Sequence, residues 1–281
     1  MIPYSDFGGD GPQLHFLHAN GYPPACYRPL IERLSRSHRV SAMHLRPLWP
    51  GAQPKEIGTW HPLSDDLMLF FKEQNYGPLI GVGHSIGAIV TLRAAIRQPE
   101  RFRALVLIDP VLFSPRAIAA YNLVKLLGLA YRFHPLIAGA LKRRRTFDDL
   151  EQLFQGYRRR SIFRYFDDEN LRIYIQGLSQ PRPGGGYELA YSPEWEARIY
   201  YTGIWRDLDL WLGLPRLKVP TLIIRGAETD TFLAATAQRV ATIRPETRIV
   251  TLQKSTHLVP LEKPQETAET ILSFLAETAT H

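Results

Sequence analysis

Apolar residues along the chain gather into short continuous runs, separated by longer stretches in which they recur every three or four positions. The runs Leu14 to His18, Arg39 to Leu45, Leu79 to Gly83, Ala104 to Ile108, Thr221 to Arg225 and Arg248 to Leu252 have the length and composition of strands covered on both faces. Between them, Tyr27 to Ser35, Pro62 to Glu73, Ile86 to Arg97, Phe232 to Ile243 and Gln265 to Glu277 carry helical spacing. The alternation predicts an α/β fold, a mostly parallel central sheet with helices on both faces. No period repeats and no segment is low in complexity.

The alternation breaks once, from about Phe113 to Leu217. Tyr121 to Leu141 is apolar at helical spacing, interrupted by Gly128 and Pro135, and residues 147–180 again read as helical. Pro181-Arg182-Pro183-Gly184-Gly185-Gly186 then marks an irregular turn, because proline and glycine clusters stop both helix and strand. The interval reads as a mainly helical insertion over the carboxyl edge of the sheet, where open α/β sheets bind their ligands. The expected division is therefore 1–112 and 218–281 for the two parts of the core, with 113–217 as the helical cap.

One polar residue stands out inside a buried-looking segment: in LIGVGHSIGAIV, Ser85 lies between Gly83 and Gly87. A sharp strand-to-helix turn would expose its hydroxyl above the sheet, and the crowding of such a turn favours glycine two positions before and after. The N–H of Ile86, at the start of the helix, would face an oxyanion formed there. The rival reading is a phosphate-binding loop of a dinucleotide protein, but Ile86 occupies the place of the third fingerprint glycine and no Gly-Lys-Ser/Thr is present.

A serine nucleophile needs a base. His257, in KSTHLVP, follows the last predicted strand and precedes the last helix, which puts it at the same sheet edge. His84 adjoins the serine but points elsewhere along the turn, and His15 and His18 suit packing or loop hydrogen bonding. For the acid that orients the base, IIRGAETD ends a strand and offers Asp230, with Glu228 in reserve; Asp109, which closes the preceding strand, is a weaker third option. Asp230 also has the position of a helix N-cap. The order Ser85, Asp230, His257 is the one expected for a serine hydrolase on this kind of sheet.

Composition narrows the picture further. The chain has 281 residues, 45% of them hydrophobic, enough for a sizeable core. Its start, MIPYSDFGGDG, lacks the basic and apolar regions of a signal peptide, which points to a cytoplasmic protein. The lone Cys26 cannot form an intramolecular disulfide or a thiol pair for a metal. A net charge of +7 raises nucleic acid or anionic lipid as partners. Yet the basic runs at 142–145 and 158–160 are interleaved with Asp148, Asp149, Glu151, Asp167, Asp168 and Glu169, the pattern of a solvated helical surface. No nucleic acid is expected, and contact of this basic surface with a membrane is the minor reading.

Together these residues resemble the α/β-hydrolase superfamily, across 14–110 and 218–279. FLHANGYPP looks like its oxyanion segment, with alanine at 19; GHSIGA like its nucleophile elbow; IIRGAETD like its acid loop; THLVPLEKP like its histidine loop. The resemblance implies that the backbone amides of Asn20 and Ile86 hold the oxyanion, and that the interval 113–217 is the family's helical cap. Two departures stand out. MHLRPLWPG, beginning at Met43, replaces the Asp-x-Arg-Gly-x-Gly of many relatives, and only thirteen residues precede Leu14, so the family's N-terminal strands are expected to be mostly missing. Serine at 85 separates the chain from the branches whose nucleophile is aspartate.

The expected activity is two-step acyl transfer on a small to medium hydrophobic ester, without metal or organic cofactor. Lactones, thioesters and carbon-carbon bonds are alternatives on the same residues; a ligand-sensing protein on a hydrolase scaffold is the alternative of another class. Tyr22, Trp49, Leu126 and Trp205 are the candidate pocket residues. Leu123, Leu127, Leu129, Leu136 and Ile137 would either join them or pack the cap against the sheet.

Overall fold

The computed structural model describes residues 1–130 and 134–279. The core elements run β1 (Tyr4–Gly8), β2 (Gln13–Leu17), α1 (Arg28–Leu34), β3 (Arg39–Met43), α2 (His61–Glu73), β4 (Leu79–His84), α3 (Ile86–Arg97) and β5 (Phe102–Ile108). Then come α4 (Pro115–Leu126), α5 (Pro135–Leu141), β6 (Thr146–Phe147), α6 (Leu150–Arg158), α7 (Asp168–Leu178), β7 (Ser179–Pro181), β8 (Tyr187–Leu189), α8 (Pro193–Thr202) and α9 (Leu208–Gly213). The core resumes with β9 (Thr221–Gly226), α10 (Ala234–Ile243), β10 (Arg248–Leu252), α11 (Val259–Glu262) and α12 (Pro264–Ala279).

Seven strands form one sheet in the order β1-β3-β2-β4-β5-β9-β10, parallel except for β1. Every residue of β4 is buried, as befits a central strand whose run is apolar without alternation. In β5 the two-residue period sorts the side chains: Leu105 and Leu107 join the cluster containing α2 and α3, while Ala104, Val106 and Ile108 join the one containing α1 and α12. Helix α3 is buried from Ile86 to Ala95, apolar almost all round, as a helix sandwiched between sheet and outer helices must be.

Two local expectations are revised. Tyr4–Gly8 is a strand, paired antiparallel with β3 at the sheet edge, so an N-terminal strand is present despite the short leader. Its five residues YSDFG contain no apolar run, since an edge strand gains its place from main-chain pairing more than from burial. Within the interval 113–217 helices predominate, joined by a three-stranded antiparallel sheet in the order β6-β8-β7. The cluster PRPGGG forms the β7–β8 turn, and Gly184, Gly185 and Gly186 all take positive φ. Tyr131, Arg132 and Phe133, within the apolar stretch read as helical, lie outside the described residues.

The interval is bound to α3 through a buried ion network. Arg93, 1% exposed, places Nη2 2.6 Å from Asp207 Oδ1, and its Nε and Nη2 donate to Asp209 at 2.9 and 3.2 Å. Removing the guanidinium leaves the buried Asp207 carboxylate without its cation. Arg93→Ala is expected to destabilise the protein by about 3 kcal/mol or more, read from the urea midpoint; a loss under about 1 kcal/mol, the range of an exposed pair, would show the network to be incidental.

Candidate active site

Loops leave the carboxyl ends of β2, β4, β5, β9 and β10, and the catalytic and oxyanion candidates read from the sequence, Asp109 as third option for the acid included, lie on these five. Ser85 follows β4 in a strained conformation, φ 58° and ψ −118°, a region that non-glycine residues rarely occupy. The turn is tight enough that a Cβ at Gly87 would lie 2.1 Å from the Leu17 carbonyl oxygen, and one at Gly83 would lie 2.4 Å from the Gly87 oxygen. Both glycines are required by close approach of backbone to backbone, as the crowding argument anticipates.

His257 sits on the loop after β10 with Nε2 2.9 Å from Ser85 Oγ. Its other ring nitrogen, Nδ1, lies 3.1 Å from Oδ1 of Asp109. Asp109 immediately follows β5, the strand beside β4, and His84 pairs in register with Ile108, so Ser85 and Asp109 leave the sheet side by side. Asp109 is fully buried and also has a positive φ, 40°.

The expectation that Asp230 would orient His257 is therefore corrected. The β9 loop turns its donors, not its carboxylates, toward the centre: Thr229 Oγ1 donates to Asp109 Oδ1 at 2.7 Å and the Gly226 amide donates to Oδ2 at 2.9 Å. With that space filled by Asp109, Asp230 is left exposed at the cavity edge, its Oδ1 accepting from the neighbouring Thr231 hydroxyl at 3.2 Å. Glu228, the reserve, points to the surface, where Arg164 donates to it at 2.6 Å and the Tyr165 hydroxyl also binds it.

A cavity of about 230 Å³ opens over Ser85. Asn20 and Ile86 line it, and so do Tyr22, Asp230 and His257. The Asn20 side chain is held by donation to the Glu196 carbonyl at 3.2 Å, and Ile86 begins α3, where an N–H has no partner within the helix. The far wall comes from the interval 113–217: His134, Leu136, Ile162, Ile199, Tyr200 and Ile204. Three expected pocket residues lie elsewhere. Trp49 packs on the core and donates Nε1 to the His44 carbonyl, Trp205 lies under the Lys125 ammonium, and Leu126 is 73% exposed. Leu123 and Leu127 are exposed too, so neither lining nor packing describes them, whereas Ile137 is buried. Sequence spacing missed Trp60 and Phe113, whose place on the cavity depends on how distant elements meet.

Buried histidines brace these loops. His18 donates from Nδ1 to the Ala19 carbonyl at 2.8 Å and accepts the Leu45 amide at Nε2, 3.0 Å; His15 Nε2 accepts the Met43 amide at 3.1 Å. Burial pulls both down from the ordinary value of 6.5 to about 3, His18 lowering His15 further.

An acyclic chain of contacts from serine to imidazole to carboxylate, on a sheet of this topology, defines an α/β hydrolase, and the chain belongs to the alpha/beta hydrolase family, whose model matches residues 16–270. It is 27% identical to a 2-(acetamidomethylene)succinate hydrolase of Mesorhizobium japonicum over 95% of this chain and 89% of that one. Identity to an (E)-2-((N-methylformamido)methylene)succinate hydrolase of Acinetobacter baylyi is 20%, over 96% and 92% of the two chains. Among solved structures, an E-2-(acetamidomethylene)succinate hydrolase superposes with a TM-score of 0.76 at 23% identity, covering 98% of this chain and 95% of that one. The esterase Rv0045c of Mycobacterium tuberculosis does so at 0.73 and 20%, covering 98% and 88%. Among the described residues no helix is long and apolar enough to cross a membrane.

Because His15 and His18 are pulled down to about 3 in the folded chain, the unfolded chain binds more protons below its own value near 6.5. Their stabilising contribution is complete above about pH 6.5 and is lost as the pH falls toward 3, by up to about 1.4 kcal/mol per pH unit for each ring. Urea midpoints are expected to drop from pH 7 to pH 5, and less steeply in His15→Gln, which keeps an acceptor for the Met43 amide; a flat profile would contradict this.

Proposed function

We propose that the protein is a serine hydrolase of small to medium, uncharged hydrophobic carboxylic esters, with Ser85 as nucleophile, His257 as general base and Asp109 as the acid that orients the base. The observation that carries this reading is the line Ser85 Oγ, His257 Nε2 and Nδ1, Asp109 Oδ1, with gaps of 2.9 and 3.1 Å. A carboxylate only accepts, so His257 carries its proton on Nδ1, and Nε2 is left with a lone pair toward the serine hydroxyl. Ser85 attacks the ester carbonyl as His257 takes its proton; the tetrahedral oxyanion rests on the backbone N–H groups of Asn20 and Ile86. His257 then protonates the leaving alcohol. Water, deprotonated by the same imidazole, releases the acid and restores Ser85. The interval 113–217 acts as the cap whose side chains close the acyl pocket.

The charge of the cavity supports an uncharged substrate. Among the described residues no lysine or arginine lines it, whereas Asp230 stands at its edge. Arg143, whose charge reaches the lining residues Tyr22 and Tyr200, is paired with Glu196 at 3.0 Å. A succinate derivative carries two carboxylates and would meet no lysine or arginine among the described residues of these walls, which favours a substrate without the charges in the names of the two curated relatives. The volume, below the ~300–1,000 Å³ of sites for drug-sized ligands, fits a short acyl chain.

Turnover of p-nitrophenyl butyrate is expected to exceed that of p-nitrophenyl hemisuccinate by at least about tenfold, the effect of one unfavourable charge contact. Ser85→Ala abolishes both. Asp109→Asn is expected to lower kcat by about 10³- to 10⁴-fold, as loss of the orienting acid does elsewhere, and Asp230→Asn by less than about tenfold. The opposite ranking of the two aspartates would overturn the assignment of the acid. Covalent labelling of Ser85 by a fluorophosphonate separates an enzyme from a binding protein on the same scaffold.

A further inference from the structure

The catalytic reading leaves one largely buried polar chain unused. The Ala19 amide lies 3.2 Å from the Tyr27 hydroxyl, which is 2.7 Å from His84 Nδ1, and His84 Nε2 is 2.8 Å from the backbone carbonyl of His257. Tyr27 and His84 have no solvent exposure. The chain begins on an N–H, which can only donate, and ends on a C=O, which can only accept, so every proton in between is fixed. His84 carries its hydrogen on Nε2 and presents a lone pair on Nδ1; Tyr27 donates to that lone pair and accepts from Ala19. A neutral ring is required, since an imidazolium would leave no acceptor for the tyrosine. Burial, and then the adjacent His257, hold His84 well below its ordinary value.

These three bonds join three separate loops: the turn that carries Asn20, the elbow that carries Ser85 and the loop that carries His257. Consecutive residues of the elbow grip residue 257 twice, Ser85 at the imidazole Nε2 and His84 at the main-chain oxygen. The two imidazoles also pack together, with centroids 5.1 Å apart and planes inclined by 37°. We infer that Tyr27 and His84 are positioning residues that set the spacing between the oxyanion donors, the serine and the base, acting as one hydrogen-bonded strut. The inference rests on the proposed roles of Ser85 and His257. Its consequence is specific: breaking the strut displaces the base relative to the nucleophile while the substrate pocket remains, so kcat falls and KM does not, and misplacement of about 1 Å can cost about 10²-fold.

The test uses p-nitrophenyl butyrate, with active sites counted by fluorophosphonate titration so that unfolded protein is not scored. Tyr27→Phe, which keeps the ring in the core, and His84→Phe are each expected to lower kcat by about 10- to 100-fold, with KM within about threefold of wild type. Because the two act through one chain, the double variant is expected to be no slower than the slower single variant. His84→Gln, whose amide offers both an N–H donor group and a carbonyl acceptor, is expected to recover at least about tenfold over His84→Phe. Wild-type kcat per titrated site in Tyr27→Phe, or losses that multiply in the double variant, would overturn the strut even if thermal stability fell. Full activity in Ser85→Ala is a different result, which would remove the catalytic reading itself.

Discussion

The site depends on how closely the first turn of α3 approaches the end of β2. With 2.1 Å between a Cβ at position 87 and the Leu17 oxygen, no side chain fits there. That contact fixes Ser85 at φ 58° above the sheet, with the amide of Ile86 beside it and the Ala19–Asn20 turn across from it. Strain of this kind, of order 1–3 kcal/mol per residue, persists only where the surroundings over-determine the backbone. Here α3 is buried along most of its length, and Arg93 fastens it to Asp207 and Asp209.

Around that fixed point the neighbouring loops are tied by polar contacts that are themselves buried. Asp109 takes the Gly226 amide, the Thr229 hydroxyl and the His257 ring; His84 and Tyr27 link the elbow to its neighbours on both sides. A buried polar group left unpaired is costly, so these networks specify one arrangement of loops and resist others. This gives a sheet made of generic apolar strands a site with defined distances.

Much of this was legible in the sequence, for physical reasons. Central strands such as β4 and β9 must be apolar on both faces, and Gly83-His84-Ser85-Ile86-Gly87 shows its crowding through its glycines. His257 was placed by its loop between strand and helix. Which carboxylate meets the His257 ring was not legible, because Asp109 and Asp230 both follow strands. Choosing between them requires knowing that β5 lies between β4 and β9 and that Thr229, next to Asp230, spends its hydroxyl on Asp109. Strand β1 was hidden by its polar sequence. The cavity wall was hidden because exposed leucines at 123, 126 and 127 share the helical spacing of packed ones.

The most direct test of the central claim is mass spectrometry of the intact protein and its peptides after exposure to a fluorophosphonate. One adduct on Ser85 is predicted in the wild-type protein, forming far more slowly once His257 is replaced by alanine. An unmodified Ser85, or an adduct that forms equally fast without the imidazole, would contradict the account.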